Sequence, residues 1–173
     1  MDHGGLPAAI TAISKDLGII EVQMGGLGSL VFFGLVIGSA TATFVLSVFQ
    51  YKNILILSLL LNGSGLFLFT LRREYYLMGL ARFISGFSQI FLSIYAPLFV
   101  DTFCTSKQKS IWLSFILLAP PLGVVFGYGY TSILIAFGYS WQLTFNCLAL
   151  AMIICAVIMS FVPKTLLNLD EIH

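Results

Sequence analysis

The sequence is poor in charge. Aspartate, glutamate, lysine and arginine make up 9% of its 173 residues, where a soluble domain carries about 25%. Histidine occurs twice and cysteine three times. Each scarcity excludes a class of function. Seven acidic and eight basic residues, with no basic run, leave no electrostatic footprint for nucleic acid. Cys104, Cys147 and Cys155 are odd in number and lack metal-ligand or redox spacing. An intramembrane hydrolase needs a nucleophile with a base in reach, and neither His3 nor His173 sits mid-way along an apolar run. No carboxylate–histidine cluster falls on one helix face. The expectation is therefore a protein that is not an enzyme and takes no metal or other cofactor. Asn62-Gly63-Ser64 fits the glycosylation pattern but lies inside an apolar run, not in an exposed loop.

Apolar surface is what the chain has in excess, with 59% hydrophobic residues. No soluble core of this size hides so much, so the solvent is lipid and the bilayer is the first partner. Five runs are long enough to cross it as helices: Met24 to Phe49, Asn53 to Leu71, Leu77 to Val100, Ile111 to Phe137 and Leu143 to Val162. Connectors such as Gln50-Tyr51-Lys52 and Gly138-Tyr139-Ser140 are short enough to force neighbouring helices antiparallel. The runs lack the period-two alternation of barrel strands. The expected fold is all-α, a polytopic membrane helix bundle. Tyr75, Tyr76, Trp112 and Trp141 fall at span ends, as interfacial anchors do. Leu6 to Ile13 is apolar but too short to span, and Lys15, Asp16, Glu21 and Gln23 then read as an aqueous loop. Two readings fit this stretch: the last part of a helix that begins earlier, or a short interfacial helix. Lys52, Lys107, Lys109 and Lys164 fall on one side of the membrane and Lys15, Arg72 and Arg73 on the other, which makes the first side cytoplasmic by the positive-inside rule.

The polar marks inside the spans carry the functional information. Arg82 lies in the third run, and Gly86, Gln89, Ser93 and Pro97 follow it on one helix face. A guanidinium at the bilayer centre costs about 2.5–3.5 kcal/mol on insertion scales. Either Arg82 snorkels toward the interface near Tyr75, about 10 Å along the helix, or it faces a polar interior of the kind a transport pathway needs. Asp2 and His3 have the chemistry of a proton site if they lie within a span; the other reading is a solvated terminus. Gly34, Gly38 and Gly86 fit close helix packing. Pro120-Pro121-Leu122-Gly123, followed by Gly127, interrupts the fourth run, either as a gating break or as a static kink. Ser58 and Asn62 share a face of the second run and read as helix-to-helix glue.

Together these marks resemble the N-terminal six-helix half of the major facilitator superfamily. Asp2-His3-Gly4 resembles the end of that family's first helix. Gln23-Met24-Gly25-Gly26-Leu27 with Gly34 and Gly38 resembles the second. Arg82-Phe83-Ile84-Ser85-Gly86 is similar to the fourth-helix motif, and Gly138-Tyr139-Ser140-Trp141-Gln142-Leu143-Thr144-Phe145 to the opening of the sixth. Tyr95-Ala96-Pro97, Asp101-Thr102-Phe103 and Pro121-Leu122-Gly123 resemble the spinster-like branch. The resemblance implies a partial bundle with a truncated first helix over residues 1–163, with residues 164–173 starting the linker between halves. It implies a secondary transporter of a small organic or lipid-like solute, proton-coupled, in the plasma or an endolysosomal membrane, with Asp2, His3, Arg82, Gln89 and Ser93 on the pathway. A C-terminal half or a second copy would complete the carrier. The family's charged loop between helices two and three is replaced here: Thr43, Ser47 and Val48 stand at its glycine, aspartate and arginine places, and only Lys52 keeps charge. That departure leaves a non-transporting scaffold or accessory subunit as the alternative function.

Overall fold

The computed structural model describes residues 2–71 and 74–167. Arg72, Arg73, Met1 and residues 168–173, which the orientation count and the linker assignment used, lie outside the described residues. The helices are α1 (Asp2–Leu17), α2 (Glu21–Val48), α3 (Tyr51–Leu71), α4 (Tyr75–Phe103), α5 (Ser106–Ala136), α6 (Trp141–Phe161) and the single turn α7 (Lys164–Leu167). No strand occurs among the described residues. Helices α2 to α6 are each long and apolar enough to cross a membrane. They begin before the apolar runs do: Glu21 and Gln23, expected in a loop, form the first turn of α2, because helical hydrogen bonding continues past the hydrocarbon edge at no penalty. Gly18 and Gly138 end α1 and α5 with φ of 66° and 83°, the left-handed conformation in which glycine carries no steric penalty.

α1 is packed into the bundle. It packs chiefly on α5, with further contacts to α6 and α2, and buries Asp2, Leu6, Ala9 and Ile13. α2 pairs with α4, and α3 with both α4 and α6. The pairings are close because backbones meet at small residues. A Cβ added to Gly86 of α4 would collide with the carbonyl oxygen of Val31 on α2, and one added to Gly34 with that of Phe83 on α4. A Cβ on Gly38 would lie 2.9 Å from the Phe87 carbonyl oxygen. α1 and α5 meet in the same way, with Gly4 against Val124.

The expected interruption at Pro120-Pro121 is absent: α5 is helical from Ser106 to Ala136. Proline φ is already near the helical value. The two missing donors free only the carbonyls of Ile116 and Leu117, and abandoning the rest of the ladder in lipid would expose more backbone. Both prolines and Leu122 face the open side of the bundle, while Gly127 is buried. Nor do Ser58 and Asn62 glue helices together. The α3–α6 polar link is instead Thr70 Oγ1 donating to Asn146 Oδ1 at 2.5 Å.

Two polar ties hold the ends of the bundle. At one end, Trp141 Nε1 and Gln142 Nε2 both donate to Asp16 Oδ2 at 3.1 Å, joining α6 to α1. At the other, the buried Lys52 Nζ donates to the carbonyls of Ser160 at 2.7 Å and Val162 at 2.6 Å. Lys52 thus caps the C-terminus of α6, where a positive charge complements the helix dipole. Tyr95 on α4 donates to the Leu167 carbonyl at 2.9 Å beside it. Substituting Lys52→Met keeps the apolar stem and removes the donors. The expected loss is about 2 kcal/mol, read as a fall of about 4–8 °C in the melting midpoint of the detergent-solubilised protein. A midpoint within 1 °C of the parent, roughly the scatter of such a scan, would show that the tie is dispensable.

Candidate functional site

The Arg82 end of the α4 stripe faces inward, with Arg82 and Gly86 buried and Gln89 half-buried. Arg82 is 1% exposed, so it does not snorkel. Its guanidinium lies over the ring of Phe69 on α3, 4.2 Å from the centroid, and 5.2 Å from that of Phe145 on α6. The two rings meet edge to face at 5.2 Å, forming an aromatic cradle for a desolvated cation. Phe145 falls within the α6 motif noted in the sequence. Phe69 carried no signal there, being one of 16 phenylalanines in apolar context.

Asp2 closes the site from α1. Its side chain is 5% exposed, and its Oδ2 lies 3.5 Å from Arg82 Nη1. Gln89, two helical turns beyond Arg82, donates Nε2 to both Asp2 oxygens at 3.3 Å. Arg82 and Gln89 reach one carboxyl because positions seven apart on a helix share a face. The Gln89 oxygen lies 2.7 Å from His3 Nε2, whereas that nitrogen is 3.9 Å from Asp2 Oδ1. The Gln89 amide therefore stands between imidazole and carboxyl, donating to one and accepting from the other. His3 is 31% exposed and stacks on Phe32 at 5.9 Å. The chain Arg82–Asp2–Gln89–His3 leads from the buried centre of the bundle to its accessible side.

The Arg82–Asp2 contact is long for an ion pair, and Arg82 Nε and Nη2 are buried with no hydrogen-bond partner among the described residues. Ser85 Oγ, one turn away, is likewise unpartnered. Buried donors left open in this way are costly. The fold thus brings together Asp2, His3, Arg82 and Gln89. It leaves Ser93 outside: that residue is exposed and donates to the Gln89 backbone carbonyl at 3.2 Å. Among the described residues no group of three or more His, Cys, Asp or Glu side chains is placed to hold a metal ion.

No curated protein matches the chain. The family model described as Major Facilitator Superfamily matches residues 1–168. That match takes in all five membrane-spanning helices together with the Asp2–Arg82 pair, and the chain belongs to the Major Facilitator Superfamily of membrane transporters.

Proposed function

We propose that this chain is the N-terminal half of a secondary active transporter of the spinster-like branch, moving a small organic or lipid-like solute by alternating access with proton coupling. The observation that carries the reading is the Asp2–Arg82–Gln89–His3 chain, buried at Arg82 and Asp2 and half-exposed at His3. Asp2 takes the proton; Arg82 holds the charged carboxyl and loses that hold when the carboxyl is neutral. His3, at the exposed end, exchanges protons with the aqueous side. Residues 1–163 form the half, residues 164–173 begin the linker, and a C-terminal half or a second copy supplies the opposing wall. Pro120 and Pro121 deprive α5 of two internal hydrogen bonds, and with Gly123 and Gly127 they make it the helix that flexes as the halves rock. The end bearing Lys52 faces the cytoplasm, and the plasma and endolysosomal membranes both supply a suitable proton gradient.

The test uses the full-length protein in proteoliposomes containing a pH-sensitive dye, challenged with small organic acids, amines and lysolipids. Solute-driven proton movement is expected, and Asp2→Asn reduces it at least about 10-fold, the scale of a lost charge-assisted contact, while solute exchange without a pH gradient persists. Proton movement unaltered in Asp2→Asn would overturn the coupling assignment. A second reading, a non-transporting scaffold, is favoured by the last turn of α2, where the Ser47 hydroxyl donates to the Phe44 carbonyl of its own helix at 2.8 Å and no charge is presented. Solute flux in the same proteoliposomes excludes that reading.

A further inference from the structure

The Arg82 guanidinium is placed by rings more than by hydrogen bonds. Its contact with Asp2 is 3.5 Å long, its Nε and Nη2 have no hydrogen-bond partner among the described residues, and its carbon lies 4.2 Å from the Phe69 centroid. Whatever fixes the rings therefore fixes the cation. A phenyl ring has no hydrogen-bonding group, so neither Phe69 nor Phe145 is held directionally by itself. Behind them stands a third ring. Trp141 meets Phe69 edge to face at 5.8 Å and Phe145 at 6.3 Å, and its Nε1 donates to Asp16 Oδ2 at 3.1 Å. Trp141 is 5% exposed, covered by protein, where an interfacial anchor would lie among headgroups. The indole is the one member of the three-ring stack with a polar tether.

The same tether reaches the other member of the ion pair. Asp2 and Asp16 stand near the two ends of α1, close to four turns apart on nearly one face, about 21 Å by the helical rise. α1 packs chiefly on α5 and meets α6 more narrowly, so few contacts set its position along α6. One is Gly5, whose added Cβ would lie 3.5 Å from the Phe145 ring. Another is Asp16, which accepts from Gln142 Nε2 at 3.1 Å as well as from Trp141. We propose that Asp16 and Trp141 are positioning residues of the Asp2–Arg82 pair. Their hydrogen bond sets the register of α1, and with it Asp2, while the tethered indole backs the two rings that carry Arg82. Its effect on transport rests on the proton role proposed for Asp2; the mechanical coupling does not.

Thermal unfolding of the full-length protein in detergent reads the coupling, with the parent, Asp16→Leu, Arg82→Lys and the double variant compared. Independent sites lower the melting midpoint additively. The fall in the double variant is expected to be smaller than the sum by about 3 °C or more, because loss of the tether has already loosened the rings that Arg82 uses. Trp141→Phe, which keeps a ring and removes the Nε1 donor, replaces Asp16→Leu in the cycle if that variant does not fold. The second readout is Trp141 fluorescence, taken as the difference between a protein and its Trp141→Phe counterpart. Its emission is expected to shift in Arg82→Lys, as the rings between the two residues move. In proteoliposomes, Asp16→Leu lowers the maximal rate of solute-driven proton movement about 10-fold at unchanged KM. Asp16→Asn, whose amide oxygen still accepts from the indole, recovers most of that rate. Additive midpoints, a Trp141 emission blind to Arg82→Lys, or an Asp16→Asn protein no better than Asp16→Leu overturns the positioning role. A parent that moves no protons overturns the carrier reading instead, and the two detergent readouts still decide the coupling.

Discussion

Arg82→Leu abolishes transport and takes most of the protein's stability with it. The guanidinium is 1% exposed and held between the Phe69 and Phe145 rings and the Asp2 carboxyl. Removing one partner of a buried pair leaves the other charge uncompensated, at about 3–5 kcal/mol. The lost cation–π contact adds about 2 kcal/mol where the cation is desolvated. Uptake by the full-length protein in proteoliposomes should fall below about 1% of the parent, a loss of roughly 3 kcal/mol or more. Arg82→Lys keeps the charge but not the planar group that lies over Phe69, so it should recover part of the stability and little of the transport. The double variant Asp2→Asn with Arg82→Leu separates the two roles. It should unfold at a higher temperature than Arg82→Leu alone, because no unpaired carboxylate remains, and it should still transport nothing. If Arg82→Leu transports at the parental rate with the same pH dependence, the pathway does not run through this pair.

The second large effect is steric. Gly86→Ala places a methyl group against the Val31 carbonyl oxygen of α2, far inside van der Waals contact. Backbone cannot turn aside as a flexible side chain can, so α2 and α4 must separate along the contact that also includes Gly34 and Gly38. Overpacking of this kind costs about 3 kcal/mol or more, and in lipid no hydrophobic drive restores the lost contact. The expected readout is loss of the monodisperse peak in size-exclusion chromatography of solubilised protein. Gly129→Ala on α5 is the control. Among the described residues no atom lies within 4 Å of its added Cβ, so it should leave the peak unchanged or raise thermal stability slightly through helix propensity. A Gly86→Ala protein that solubilises and melts like the parent would mean that the two helices do not meet backbone to backbone.

Much of this molecule is written locally. The five spans follow from runs of apolar residues, and the inward stripe of α4 follows from the spacing of Arg82, Gly86 and Gln89. These are properties of one helix at a time, and the low charge of the chain makes them unambiguous. What was not legible locally is what depends on a neighbour distant in sequence. Ser58 and Asn62 look like glue because amides in lipid generally find partners, yet the α3–α6 link fell to Thr70 and Asn146. Pro120-Pro121 looks like a break because proline removes donors, yet the remaining ladder of α5 carries the helix across it. Ser93 shares the face of Gln89 but lies a turn beyond the reach of Asp2.

Composition and periodicity alone determined that this is a lipid-embedded, all-helical chain with a guanidinium to accommodate in its third long run. Only the tertiary structure decided what accommodates it. The partner is an aspartate 80 positions earlier, supported by two aromatic rings from different helices. Hydropathy sums over neighbours along the chain, whereas the electrostatics of a buried charge depend on which helices stand beside it. That arrangement is set by close backbone contacts at glycines such as Gly4, Gly34 and Gly86, whose partners no local pattern names.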